Sequence, residues 1–203
     1  MYKVLLCLAI VTLTCSCSIS QELDSPPQQA ELPYASIPDY PDAVTSGNVL
    51  GRMIDGLGYR YYWATDSLTQ ANLDYRISED SRSCMETLDH LLGLSKFILS
   101  IVENDLSIRD TNEDDLSWND KRMITLNNFM QSSNGVKGLT DKQVEELKIV
   151  FMRGDKKTEF PVWNMINGPI ADAIWHCGQV VSFRRASGNP MNPNVSVFSG
   201  KNR

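Results

Sequence analysis

The sequence has few basic residues and few histidines, and each shortage excludes a class of protein. Its 203 residues contain 19 Lys and Arg against 25 Asp and Glu, which gives a formal net charge of -6. This balance leaves no basic surface of the kind that neutralises phosphates, so neither nucleic acid nor an anionic membrane surface is expected as a partner. The two histidines are His90 and His176, so a site built from three histidines is impossible.

Cysteine is scarce outside the first residues of the chain. Three of the five cysteines are Cys7, Cys15 and Cys17. The remaining two, Cys84 and Cys177, cannot make a disulfide scaffold, and they lack the paired spacing of a zinc site. In an oxidising compartment they could pair with each other. The alternative interpretation is that both are small, buried apolar residues.

The N-terminus has the pattern of a signal peptide over residues 1–20. Lys3 precedes an apolar run over residues 4–13, and small residues follow it. The run is shorter than the roughly 20 apolar residues that span a bilayer. Cleavage before Gln21 would give a soluble protein, whereas acylation of Cys17 would give a lipoprotein. Both routes predict export to the periplasm or cell envelope, with membrane association only through a lipid anchor.

Residues 21–45 are predicted to form a proline-rich linker. They hold five of the nine prolines, and proline fixes φ and removes backbone donors, which keeps a chain extended. Tyr34, Ile37 and Tyr40 could dock part of this linker onto the domain that follows.

Residues 46–203 are predicted to form an all-α domain with a C-terminal tail. Apolar residues recur three and four apart, which is typical of helices with one buried face. The predicted helices cover about 47–72, 83–104, 118 to a stop at 132–135, 140–151 and 162–186, the last with a kink at Gly168-Pro169. Residues 153–157 are predicted as a basic loop and residues 188–203 as a coil. Because no segment shows sustained alternation, we expect no strands and a four-helix bundle with an accessory helix.

Three residues on two predicted helices could hold a metal ion. Asp172 and His176 stand four apart and therefore share one helix face, where both heads can converge on one ion. His90 on the second helix would complete three protein ligands and leave positions open for water or substrate. The alternative is an ordinary core pair in which the carboxylate orients the imidazole ring. Gln179 either supports His176 or is exposed.

Two segments resemble the DinB/YfiT-like family. Residues 168–188, with His176 followed by Gly178-Gln179, resemble the last bundle helix of that family, where an H-x-x-x-H-x-G-Q segment supplies two ligands. Residues 86–94 resemble the helix that supplies the remaining ligand, here His90. The resemblance implies a DinB-like bundle with a divalent ion (zinc, nickel or manganese) on His90, Asp172 and His176. Asp172 replaces a family histidine, which implies an altered metal preference, weaker binding or loss of the ion.

The resemblance implies a metal-dependent hydrolase or transferase that acts on a small molecule. Enzymes of the family include thiol transferases and a maleylpyruvate isomerase, but export would separate this chain from cytosolic thiols. The alternative is a non-catalytic envelope module that binds a ligand through a degenerate metal site. No third histidine or isolated glutamate in the site helices is an obvious general base, which separates the two hypotheses. Self-association as a homodimer also stays open.

Two further groups have both a functional and a structural interpretation. The aromatic residues Tyr59, Tyr61, Tyr62 and Trp63 could line a pocket, although their helical spacing favours the core. Arg184 and Arg185 could bind an anionic ligand, although basic residues at a helix C-terminus also complement the helix dipole.

Overall fold

The computed structural model describes residues 31–203 and is mainly α-helical, as the sequence predicts. The signal peptide, the lipoprotein site and the first part of the proline-rich linker lie outside the described residues. Within the described part, no helix is long and apolar enough to cross a membrane.

The helices and strands follow one another along the chain with short connections. Their bounds are α1 Ser46–Thr65, α2 Gln70–Leu73, α3 Cys84–Val102, a 3₁₀ turn Leu106–Asp110, α4 Trp118–Val136, α5 Asp141–Glu146, β1 Lys148–Arg153, β2 Lys156–Pro161, α6 Trp163–Met165, a π-helical turn Ile166–Ile170, α7 Ala171–Ala186, β3 Val195–Ser196 and β4 Lys201–Asn202. The strands form two antiparallel pairs, β1 with β2 and β3 with β4.

The start of α3 is fixed by a capping box. Ser83 Oγ accepts a hydrogen bond from the Glu86 backbone N–H at 3.1 Å, and Glu86 Oε2 accepts one from the Ser83 N–H at 2.8 Å. These bonds satisfy donors that have no partner inside the helix. Because the cap fixes where α3 begins, it also fixes the position of His90, two turns further along the helix.

The four long helices α1, α3, α4 and α7 contribute most of a common apolar core. Both α4 and α7 pack against α1 and α3. Each fully buried Leu or Phe contributes about 1.5–3 kcal/mol relative to exposure. The most deeply buried side chains include Ile54, Leu57, Tyr61, Leu91, Ile98, Phe129, Met165 and Ile170.

The predicted first helix over 47–72 is interrupted. Helix α1 ends at Thr65, and Ser67 takes a left-handed φ of 56° before the short α2 begins. Asn189 stabilises this break, because its amide donates to the Ser67 carbonyl and to Asn72 Oδ1, both at 2.9 Å. A partner 122 residues away in sequence is invisible to local periodicity.

The prediction of no strands is wrong, as are the helix through Phe151 and the basic loop over 153–157. Helix α5 ends at Glu146, and β1 pairs with β2 around a two-residue turn in which Gly154 has a φ of 58°. Glycine first in such a turn matches the twist of a hairpin. Ile149 and Val150 are buried while the rest of the hairpin is exposed, so the period-two alternation that marks a strand is missing. The tail also contains a small strand pair where a coil was expected.

Helix α4 continues through residues 132–135 instead of ending there. Ser132 and Ser133 are buried, and their hydroxyls donate to Asn128 O at 2.7 Å and to Asp55 Oδ1 at 2.5 Å. A Cβ on Gly135 would approach Val102 Cγ1 at 2.5 Å, so glycine permits close packing of α4 on α3. These residues serve helix packing rather than a turn.

The second half of the predicted linker packs against the helices. Tyr34 and Ile37 are buried, and the Tyr34 hydroxyl donates to Asp55 at 3.1 Å. Burial beside the Asp55 carboxylate raises the pKa of the Tyr34 phenol. Tyr40 differs, since 79% of it is exposed.

Candidate metal centre

Helices α3 and α7 lie side by side and bring His90, Asp172 and His176 together. Their ligating atoms all lie within 4.8 Å of one another. His90 Nε2 is 3.2 Å from Asp172 Oδ2, and His176 Nε2 is 3.3 Å from Asp172 Oδ1. The carboxylate therefore faces both imidazole rings, one oxygen to each.

A backbone kink at the start of α7 sets the direction of that helix. Gly168 has φ and ψ of -89° and -108°, and Pro169 follows it inside the helical turn. The kink agrees with the prediction at Gly168-Pro169. Ala173 and Val180 of α7 are fully buried. Their burial fixes the rotation of α7 about its own axis, so that Asp172 and His176 face α3.

The cluster is open to solvent on one side. The side chains of His176, His90 and Asp172 are 14%, 33% and 44% exposed. The two rings meet edge to face, with centroids 4.6 Å apart. A buried structural metal site would enclose its ion, whereas this arrangement leaves room for an exchangeable ligand.

Gln179 contacts the other nitrogen of the His176 ring. Its Oε1 lies 2.7 Å from His176 Nδ1, and an amide oxygen only accepts, so in this orientation of the amide Nδ1 carries the proton. The Nε2 lone pair of a neutral ring then faces Asp172 Oδ1. Two acceptors in contact repel each other unless a cation lies between them or the ring takes a second proton. With the amide turned round, His176 could instead donate to Asp172 as an ordinary core pair.

The spacing of the donor atoms is close to what a small divalent cation requires. Bonds of 2.0–2.2 Å to tetrahedral ligands place the ligand atoms about 3.3–3.6 Å apart. The two histidine–aspartate distances, 3.2 and 3.3 Å, are close to that range, but each runs to a different carboxylate oxygen, and the set as a whole spans up to 4.8 Å. A bound ion would therefore draw the three side chains closer together. Two imidazole nitrogens and a carboxylate are ligands that zinc, nickel and manganese accept.

Two clefts adjoin the cluster. His176 and Gln179 line one of about 570 Å³, which is also lined by the exposed side chains Trp175, Ile77 and Arg82. His90 lines another of about 330 Å³, together with Phe97, Arg109 and Phe151. Among the described residues, no carboxylate lines either cleft.

The residues that line the clefts were not predicted from the sequence, although Trp175 gave one signal. Trp175 stands three residues after Asp172, so helical spacing places it next to Asp172 on the surface of α7. It is 71% exposed, and an exposed tryptophan beside a metal-type cluster is a typical binding surface.

Other candidates have structural roles. Arg184 is 3% exposed and donates to the carbonyls of Trp63 and Ala64 at the end of α1, at 2.9 and 3.2 Å. It is therefore unavailable as a ligand group, whereas Arg185 is exposed. Tyr59 and Tyr61 are fully buried, as the core interpretation predicts, whereas Trp63 is half-buried and lines a cavity, as the pocket interpretation predicts.

Cys84 and Cys177 are free and buried, so the disulfide alternative is wrong. Burial raises the pKa of the Cys84 thiol to about 11 and that of Cys177 to about 12. Both thiols are neutral near pH 7 and pack as small apolar groups.

No protein-family model matches the chain, and no curated protein or solved structure is similar enough to count as a match. The function has to be inferred from the side chains themselves.

Proposed function

We propose that the chain is a divalent-metal-dependent hydrolase or transferase whose ion is held by His90, Asp172 and His176. One observation carries the proposal: three ligand-type side chains from two helices converge within 4.8 Å beside an open cleft. A bound divalent ion supplies Lewis-acid chemistry, polarising a substrate oxygen or activating water.

The chain's own residues hold and orient the reacting groups. Gln179 keeps the proton on His176 Nδ1 and presents Nε2 as a ligand. Trp175 and Ile77 offer an apolar surface for the body of a small substrate, and Arg82 offers a positive charge in the same cleft. This combination favours a substrate with an apolar group and an electron-rich oxygen.

The proposal includes a DinB-like four-helix bundle formed by α1, α3, α4 and α7. It is supported by their common core, by the kink at Gly168-Pro169 and by the placement of the ligands on the second and last long helices. Helix α5 is the accessory helix of this arrangement.

The proposal also places the mature protein in the periplasm or cell envelope. It rests on the Lys3 start and the apolar run over 4–13. Mass spectrometry of the mature N-terminus tests it: a lipidated Cys17 or a free Gln21 supports export, and an intact Met1 on cytosolic protein contradicts it.

A second candidate function is a ligand-binding module without a working metal. It is favoured by the lack of any carboxylate lining the two described clefts, since a hydrolase commonly uses one as a general base. In this case Gln179 donates to His176, and the cluster is a hydrogen-bonded trio.

Metal analysis of untagged protein separates the two functions. After chelation, equilibrium dialysis against zinc, nickel or manganese should return one ion per chain. His90→Ala and His176→Ala should lose it. Asp89→Asn is the matched control, because Asp89 lies on α3 beside His90 but pairs with Lys121 at 2.9 Å. Equal metal content in His176→Ala and the native protein would leave only the binding module.

A further inference from the structure

A third cavity lies further around α7 from the metal cluster, and Gly178 and Ser182 line both this cavity and the 570 Å³ cleft. It has a volume of about 350 Å³, is open to solvent on one side and is lined by residues of α1, α7 and the C-terminal tail; we call it the tail pocket. Ile174, Cys177 and Val181 line it from α7. At 100° per residue Ile174 and Val181 lie roughly opposite Asp172 and His176 around the helix axis, and Cys177 lies about 100° from His176.

The interior of the tail pocket is apolar. Trp63 of α1 and Val195 of the tail complete the walls begun by Ile174 and Val181. Cys177 is only 2% exposed. Burial raises the pKa of this thiol to about 12, so it contributes a neutral, apolar surface.

Two arginines, Arg60 and Arg185, also line the tail pocket, and their charge is not compensated there. No acidic side chain in the described part of the chain lines the pocket. Arg60 uses one nitrogen, Nη1, to donate to the Gly56 carbonyl at 2.9 Å. Arg185 is exposed. Both guanidinium groups therefore have donors directed to solvent or to a ligand.

The tail that closes the pocket is held by specific hydrogen bonds. Tyr59 contacts it twice, since its hydroxyl lies 3.0 Å from Asn202 Oδ1 and accepts from the Ser196 N–H at 3.3 Å. The Gly200 carbonyl accepts from the Ile37 N–H at 2.8 Å. The pocket is thus preformed, which lowers the entropic cost of binding.

We propose that the tail pocket binds a small amphiphilic anion, with its apolar body between α1, α7 and the tail and its carboxylate on Arg60 and Arg185. Apolar walls supply affinity through burial of hydrocarbon. Arginine pairs with carboxylates through two parallel hydrogen bonds, which fixes the orientation of the ligand. The uncompensated positive charge selects against cations of the same shape.

The test uses octanoate as the probe, titrated calorimetrically into the full chain with a chelator present, so that no metal ion can hold the carboxylate. Octanol and octylammonium are the neutral and cationic comparisons. Octanoate should bind at least about tenfold more tightly than either. Arg185→Met should weaken octanoate binding by at least about tenfold, because it deletes the charge from an exposed position without disturbing the core. Arg153→Met is the matched control, since Arg153 is an exposed arginine in the β1–β2 hairpin, and it should bind as the native chain does.

The position of the ligand is tested separately by methyl NMR. Octanoate should shift the methyl signals of Ile174, Val181 and Val195 and leave those of Val49 and Val144, which line a different groove, unchanged. The proposal is overturned if the native chain does not bind octanoate, if Arg185→Met binds it equally well, or if the shifts appear only outside the tail pocket. None of these outcomes depends on the metal site, so the two proposals fail or stand separately.

Discussion

Replacing Gln179 with Leu tests whether the orientation of the His176 ring serves metal binding. Leu has a similar volume and no acceptor, so the change removes the 2.7 Å contact at Nδ1 and leaves α7 intact. Nothing then holds the proton on Nδ1, and the ring is free to turn or to take the other tautomer.

The expected loss follows from the burial of the ring. Removal of the partner that orients a metal-ligating histidine typically weakens metal binding 10–100-fold, which corresponds to about 1.4–2.7 kcal/mol. The His176 side chain is 14% exposed, so water can replace the amide oxygen only in part. We therefore expect the loss to lie near the upper end of that range.

The assay is zinc titration in competition with a chromogenic chelator. Gln179→Glu should keep the affinity at least at the native level, because its carboxylate still accepts from Nδ1. Gln131→Leu is the matched control, since Gln131 is an exposed glutamine on α4, and it should titrate as the native chain does. Native affinity in Gln179→Leu, together with loss of zinc in His176→Ala, would refute the idea that Gln179 acts through the ring.

Three further changes have defined outcomes. Asp172→His should raise the affinity for nickel and lower that for manganese, because imidazole suits nickel and carboxylate suits manganese; titration with both ions checks it, and a rise for manganese would contradict it. Neither Cys84 nor Cys177 should react with a chromogenic thiol reagent at pH 7 in the folded chain, because their raised pKa values of about 11 and 12 leave little thiolate. Rapid labelling of these two cysteines before unfolding would contradict this prediction. Ser83→Ala should lower the free energy of unfolding by about 1 kcal/mol, because it removes the N-cap of α3. Urea denaturation measures the change, and Ser36→Ala, at an exposed position, is the control. Equal stability of the two variants would argue against the cap.

Local signals in the sequence are sufficient to predict both ends of α3. Helix α3 was predicted over 83–104 and runs from Cys84 to Val102, because a capping box and an apolar stripe both lie within the segment. The kink at Gly168-Pro169 was also predicted, since proline removes a backbone donor wherever it stands.

Features that depend on distant partners were missed. The break after α1 is held by Asn189, and the continuation of α4 through Ser133 depends on Asp55, 78 residues away. The β1–β2 hairpin gave no alternation because one end of β1 is buried and the rest is exposed. Apolar periodicity identifies a helix or strand only where one face is buried along its whole length. None of these three segments has such a continuously buried face.

The candidate site could be selected from sequence, but its geometry could not. Helical spacing places Asp172 and His176 on one face, and His90 is the other histidine of the chain, on a second predicted helix. Neither says that one carboxylate oxygen faces each ring, because this depends on how α3 and α7 pack, nor that the Gln179 amide lies against His176 Nδ1.

The most direct test of the metal centre is anomalous diffraction from crystals grown with zinc, collected on both sides of the zinc absorption edge. We predict one anomalous peak, about 2.0–2.2 Å from His90 Nε2, His176 Nε2 and one oxygen of Asp172. The same peak should be absent from crystals of His176→Ala. A native crystal with no peak between these three side chains, and with His176 hydrogen-bonded to Asp172, would contradict the account.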